Sequence, residues 1–418
     1  MNSNPVLGAL ADLYKLEQLY RDDPASFSEQ LDAALKIHPH AQILKFWHMR
    51  LHWGALGQTG RSKLLLQSLG LVLLLGLCAT LLAKIPTYTT IEPLWFYPRF
   101  APLIVLTALG AYLSRHQAVL SIPNRILAAT VGFIVAYLLV LPDQEGSSSV
   151  TMSLIHIPLV LWCGLGYAFS RQHWRKDAVR LAFLRYNGEV FVYTVLILLG
   201  GIVLTGASFM LFELIGMDIE DWYARNVIVS GLVCAPLVAT FVYEDILQRA
   251  SRIASLLARV FAPLFLVMVC AYLVAMLFSG QSPWTDRDFL ISFDGLLILV
   301  LGIAVFCISD RDPAHPSRVY DVINFLLIVL TQAINLVALS AILYRLAEFG
   351  VTPNRVVVIG ANILIFLHLS LIITAYIKVL RGRAATGVLE RAVVRFIPVY
   401  GVWAVFVCVG LPVIFSFA

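Results

Sequence analysis

The sequence predicts an all-α, polytopic transmembrane helix bundle of about eleven spans behind a short N-terminal helical hairpin, and three observations predict it. Of 418 residues, 60% are hydrophobic and 13% charged, whereas soluble domains carry about a quarter charged residues and cover themselves with them. Eleven apolar stretches approach the roughly 20 residues that an α-helix needs to cross about 30 Å of hydrocarbon. Lysine and arginine, finally, gather in alternate connections between those stretches.

The stretches run over residues 64–85, 100–113, 126–141, 154–169, 190–216, 226–243, 260–278, 289–308, 322–346, 356–380 and 396–417. The second and third are short, and a re-entrant pair in their place would leave the orientation of every other span unchanged. The even-side connections hold 21 Lys and Arg against 6 on the opposite side. Positive charge resists translocation, so the N-terminus is expected in the cytoplasm and the C-terminus outside. The net charge of +5 thereby belongs to a face beside anionic lipid, and no nucleic-acid partner is expected.

Three regions follow: a cytoplasmic or interfacial helical region, 1–62; a first group of four transmembrane helices, 63–170; and a seven-helix transmembrane region with interfacial linking helices, 171–418. In the first region Leu10, Leu13 and Tyr20 follow helical spacing from Val6. Ser26 and Glu29 spell a capping box ahead of a second helix that ends before Pro39. Residues 41–55 mix Phe46, Trp47 and Trp53 with Lys45 and Arg50, as a helix at the headgroup level does.

No motif specifies a reaction. H-E-x-x-H, G-x-S-x-G and a dinucleotide fingerprint are absent, so no catalytic residue, cofactor or metal is assigned. All six cysteines fall in apolar runs and read as small buried hydrophobes.

Polar groups within spans are the informative residues, because an aspartate near the membrane centre costs about 2.5–3.5 kcal/mol. In the ninth span Asn324, Thr331 and Asn335 fall within about 40° on one helical face, and Gln332 flanks them. The tenth span adds Asn362 and His368, and Asp294 lies about a turn inside the outer end of the eighth. Two readings stand for this set: a polar path or binding site, or amides and hydroxyls that join neighbouring helices. Pro236, with Gly231 five residues before it, is a candidate helix break of the kind that exposes backbone at a transport site. Proline is also common in ordinary membrane helices. Gly200, Gly201, Thr205 and Gly206 read as a close helix contact.

Three short runs carry a resemblance: Gly350-Val-Thr-Pro-Asn-Arg355, Leu199-Gly-Gly-Ile-Val-Leu-Thr-Gly206 and Thr285-Asp-Arg-Asp-Phe-Leu290. Over residues 187–396 the chain resembles a bacterial multispanning integral-membrane family designated domain of unknown function 4153. The resemblance implies a many-helix protein of the bacterial cytoplasmic (inner) membrane, and it supplies no reaction or ligand. The functional expectation is a transporter or permease-like protein for a small solute or ion, with its path beside the ninth and tenth spans. The alternative is a non-transporting envelope scaffold or sensor on which a cytoplasmic protein docks through residues 1–62.

Overall fold

A computed structural model describes residues 4–10, 12–39, 41–144, 146–171, 173–278, 284, 287–309, 311 and 317–417, with the side chains of 25, 52–62, 277 and 287–290 excepted. Thr285 and Asp286 of the third resemblance run lie outside the described residues. The chain forms two compact units, Met1–Gly70 and Leu71–Ala418.

The first unit holds α1 (Pro5–Gly8), α2 (Leu13–Asp22), α3 (Pro24–Ile37) and the beginning of α4 (Gln42–Ala83). The Asp12 carboxylate accepts from the amides of Tyr14 and Lys15 and caps α2. α3 starts earlier than the Ser26–Glu29 pattern predicts. Asp23 caps it by accepting from the Ser26 amide at 3.0 Å, Pro24 occupies the first turn, and the Ser26 hydroxyl accepts from Gln30 instead. Leu16, Phe27, Leu31, Leu44 and Trp47 share a core, with the Phe27 and Trp47 rings 5.0 Å apart. Outside it, Arg21 and Arg50 bond Glu17 and hold its carboxyl below the usual carboxylate range. Residues 41–55 are not a helix of their own: α4 runs unbroken, because isolated glycines at 54, 57 and 60, each costing about 1 kcal/mol, do not stop a helix without a proline.

The second unit continues with α5 (Ile85–Tyr88), α6 (Pro93–Leu113), α7 (Ile122–Val140), α8 (Ser148–Phe169), α9 (Asp177–Leu214), α10 (Glu220–Tyr223), α11 (Val229–Phe241) and α12 (Ile253–Phe278). It ends with α13 (Arg287–Ser309), α14 (Arg318–Phe349), α15 (Pro353–Leu380), α16 (Gly387–Arg395), α17 (Ile397–Val405) and α18 (Leu411–Ile414). The described residues contain no strand, and among them eleven helices are long and apolar enough to cross a membrane. Exposed Leu, Ile and Val cover these helices outside, while buried amides and carboxylates sit inside, as befits a multi-pass membrane protein.

The two short stretches are full-length helices. α6 spans 21 residues and α7 19, each close to the bilayer requirement. α6 begins seven residues before its apolar run because Trp95, Phe96 and Tyr97 extend it through Pro98 and Pro102.

α14 is the hub of one group, packed by α12, α13 and α15, while α8 is the hub of another, packed by α6, α7 and α17. α9 touches both groups. Its C-terminal half contradicts the expected glycine contact, for a side chain built on Gly200, Gly201 or Gly206 would meet nothing within 4 Å. The close approaches lie elsewhere, at Gly188 against Phe306 and Gly360 against the Trp403 indole.

α11 also departs from expectation. It passes through Gly231 and Pro236 without a break, and the irregularity falls on either side as π-helical turns, Ala224–Ile228 and Val242–Ile246. The second turn presents Asp245, which receives two bonds from the Arg115 guanidinium, at 2.9 and 3.1 Å, and one from the Tyr112 hydroxyl. A third π-turn, Phe406–Gly410, directs the Cys408 carbonyl at the hydroxyls of Tyr137 and Ser153, 2.6 and 2.7 Å away.

Glu189 of α9 was silent in the sequence. It is 3% exposed and caps α12 from outside, accepting from the Ala254 amide at 3.0 Å and the Ser251 hydroxyl at 2.8 Å. Glu189→Ala is expected to lower stability by about 2 kcal/mol, since it strips both donors of a charged acceptor. The thermal midpoint of the detergent-purified protein measures it.

Candidate functional site

A row of buried polar side chains runs along the α14–α15 interface. The helical period places Asn324, Thr331, Gln332 and Asn335 on the side of α14 that faces α15, and all four are buried. Near one end Arg311 bonds Asp321 at 2.6 Å. Next comes Asn324, whose Nδ2 reaches the Tyr376 hydroxyl at 2.7 Å. Gln332 Nε2 follows, donating to the Phe366 carbonyl at 3.0 Å and the Ser370 hydroxyl at 2.8 Å. Asn335, 0% exposed, donates to the Asn362 carbonyl at 3.3 Å. Asn362 Nδ2 donates in turn to the Asp294 carboxylate at 2.7 Å and the Val358 carbonyl at 2.9 Å.

These partners fix which way the amides point. A carboxylate and a backbone carbonyl only accept, so the NH2 groups of Gln332, Asn335 and Asn362 must face them. Their oxygens are thereby turned elsewhere, and among the described residues Gln332 Oε1, Asn335 Oδ1 and Asn362 Oδ1 are buried without a donor. Asn324 Oδ1 and Thr331 Oγ1 share that condition. Each such group costs about 1–3 kcal/mol, so five along one interface is an expensive arrangement for packing alone.

Asp294 ends the row in the wall of a cavity of about 480 Å³ between α13, α14 and α15. Arg345, Thr352, Asn354 and Arg355 share that wall. Arg355 donates to the Phe349 and Gly350 carbonyls at 2.8 and 2.7 Å, beside the Gly350 turn, where φ is +75°. Arg345 donates to the Trp284 carbonyl at 3.3 Å. Thr352 caps α15 and Pro353 occupies its first turn, so the cavity rim is a helix start. The lining stops at Asp294, and Asn335 lies beyond it.

His368 does not join the row. Its ring stacks on Phe396, 4.7 Å between centroids, and its Nδ1 is hydrogen-bonded to the Tyr400 hydroxyl at 3.0 Å, facing α16 and α17. Six residues separate it from Asn362, about 240° around the helix, so the spacing already placed it elsewhere. Gly231 and Pro236 also lie apart, in α11. Arg345 and Arg355 were missed because charges at helix ends look like interface anchors in a sequence, and Asn354 because a polar residue in a helix's first turn looks like part of its start.

The chain matches no family model, no curated protein and no solved structure.

Proposed function

We propose that this is a transporter or permease-like protein of the bacterial cytoplasmic membrane, with its N-terminus inside and C-terminus outside, acting on a small solute or ion. Membership of the unknown-function family named above belongs to the same reading. One observation carries it: the orphaned amide and hydroxyl oxygens that continue the line from Asp294 and its cavity. Oxygens left over after every NH2 has been used call for a donor. The ligand is accordingly a cation or a small polar molecule rich in N–H or O–H groups. The cavity is its entrance, Asp294 and the Asn362 that it holds in place are the first groups the solute meets, and passage requires α14 and α15 to part at Asn335.

Purified protein in vesicles tests this by the rate at which they swell in alkali-cation salts, ammonium salts, urea and glycerol. A rate above that of empty vesicles for at least one solute supports the reading, and protein-free rates for all of them refute it. Orientation is tested separately: alkaline phosphatase fused after residue 418 is expected to be active, and an inactive enzyme there reverses the topology.

The tight packing of Asn335 favours one rival, a non-transporting scaffold or sensor whose cytoplasmic partner docks on residues 1–62. Under that reading, deletion of residues 1–39 abolishes the cellular phenotype while Asn335→Ala leaves it intact. The transport reading expects Asn335→Ala to impair it.

A further inference from the structure

A second cavity, about 470 Å³, opens between the end of α8, the start of α9 and α17, and it shares no residue with the site above. Its wall is almost wholly apolar: Trp162, Phe183, Val402 and Val405, with Gly166 and Gly401 keeping it open. The polar members of the lining, Tyr167, Ser170, Trp174 and Arg180, come from where α8 ends and α9 begins. Arg180 lies 4.9 Å from the Trp174 ring and donates Nε to the Trp174 carbonyl at 2.6 Å. Nη1 reaches the Val394 carbonyl at 3.4 Å, and among the described residues no acceptor bonds Nη2. Exposed Arg175 stands 5.9 Å from the same indole and forms no ion pair among the described residues.

We propose that this groove holds one anionic phospholipid, with an acyl chain along the Gly166–Gly401 wall and its phosphate at Arg180 and Arg175. The volume falls within the roughly 300–1,000 Å³ of ligand sites. An oily slot with Arg180 and an indole in its wall, and Arg175 beside that indole, has the polarity profile of a lipid: chain, then interface, then charge. A soluble anion uses only the rim and leaves the slot unexplained. Guanidinium groups at its mouth select a headgroup with net negative charge over a zwitterionic one.

The full-length protein in non-ionic detergent tests this by native mass spectrometry, with phosphatidylglycerol or phosphatidylcholine of identical chains added. One phosphatidylglycerol per chain is expected, at a concentration at least about tenfold lower than phosphatidylcholine requires. Val402 is 72% exposed, so Val402→Trp fills the groove without disturbing the core and is expected to abolish retention. Val405→Trp, on the same wall, repeats the test should the first variant misfold. Leu204→Trp on the exposed face of α9 leaves retention unchanged. Arg175→Gln with Arg180→Gln brings phosphatidylglycerol down to the phosphatidylcholine level. Equal affinity of the wild type for the two lipids, retention by folded groove-filled variants, or displacement of the lipid by millimolar inorganic phosphate would overturn the proposal.

Discussion

Asp294→Ala is expected to lower the solute-driven swelling rate of reconstituted vesicles at least about tenfold, the largest functional effect of any single substitution in the chain. Among the described residues the carboxylate is the one acid in the wall of the 480 Å³ cavity, and it is the acceptor that holds Asn362 in place. A hydrogen bond to a charged group is worth about 1.5–3 kcal/mol, and 1.4 kcal/mol is a factor of ten. Asn362→Ala is expected to act in the same direction, since it removes both the next oxygen and the partner of Asp294. Asp218→Ala, in the acidic connection before α10, serves as the control and leaves the rate unchanged. If Asp294→Ala swells like the wild type, the cavity is not the entrance.

The largest structural effect is expected at Asp245→Ala, about 3 kcal/mol or more of lost stability. Arg115 and Asp245 are 11% and 16% exposed, and the guanidinium also lies 4.1 Å from the Tyr112 ring, so deleting the acid takes the carboxylate from a buried cation and from the Tyr112 hydroxyl together. Removing one partner of a buried pair typically costs about 3–5 kcal/mol, far more than the pair contributes as a whole. Replacing both, as Arg115→Met with Asp245→Leu, is expected to recover much of the loss. Thermal unfolding in detergent of the single and double variants measures this, and additive losses would contradict a closed pair.

The helices were legible where physics is local. A run of apolar residues has one stable environment, so all eleven stretches could be found with their C-terminal ends within three residues, while several helices start well before the apolar run, α6 by seven residues and α9 by thirteen, because prolines, aromatics and charges dilute the pattern there. The polar stripe of α14 was legible because periodicity alone puts Asn324, Thr331 and Asn335 on one face. What that face meets was not. The bond from Asn362 to Asp294 spans 68 residues and the cap of α12 by Glu189 spans 65, and only tertiary packing brings either together. Gly200, Gly201 and Gly206 misled for the same reason, since small residues permit a close contact without supplying the neighbour. Pro236 misled because a helix loses a single bond at proline and keeps its course when its surroundings hold it, here with Thr240 donating to the Pro236 carbonyl at 2.9 Å.

The central claim, that the α14–α15 amides border a path open to water during turnover, is tested most directly by thiol labelling at Asn335. In a chain whose six native cysteines are replaced by serine or alanine, Asn335→Cys is expected to react with a small charged methanethiosulfonate added to intact cells. The rate should lie below that of Arg345→Cys at the cavity wall yet well above that of Ala338→Cys, buried one turn along the same helix. Labelling at position 345 with none at 335, even under conditions of maximal flux, would show the row to be sealed packing and contradict the account.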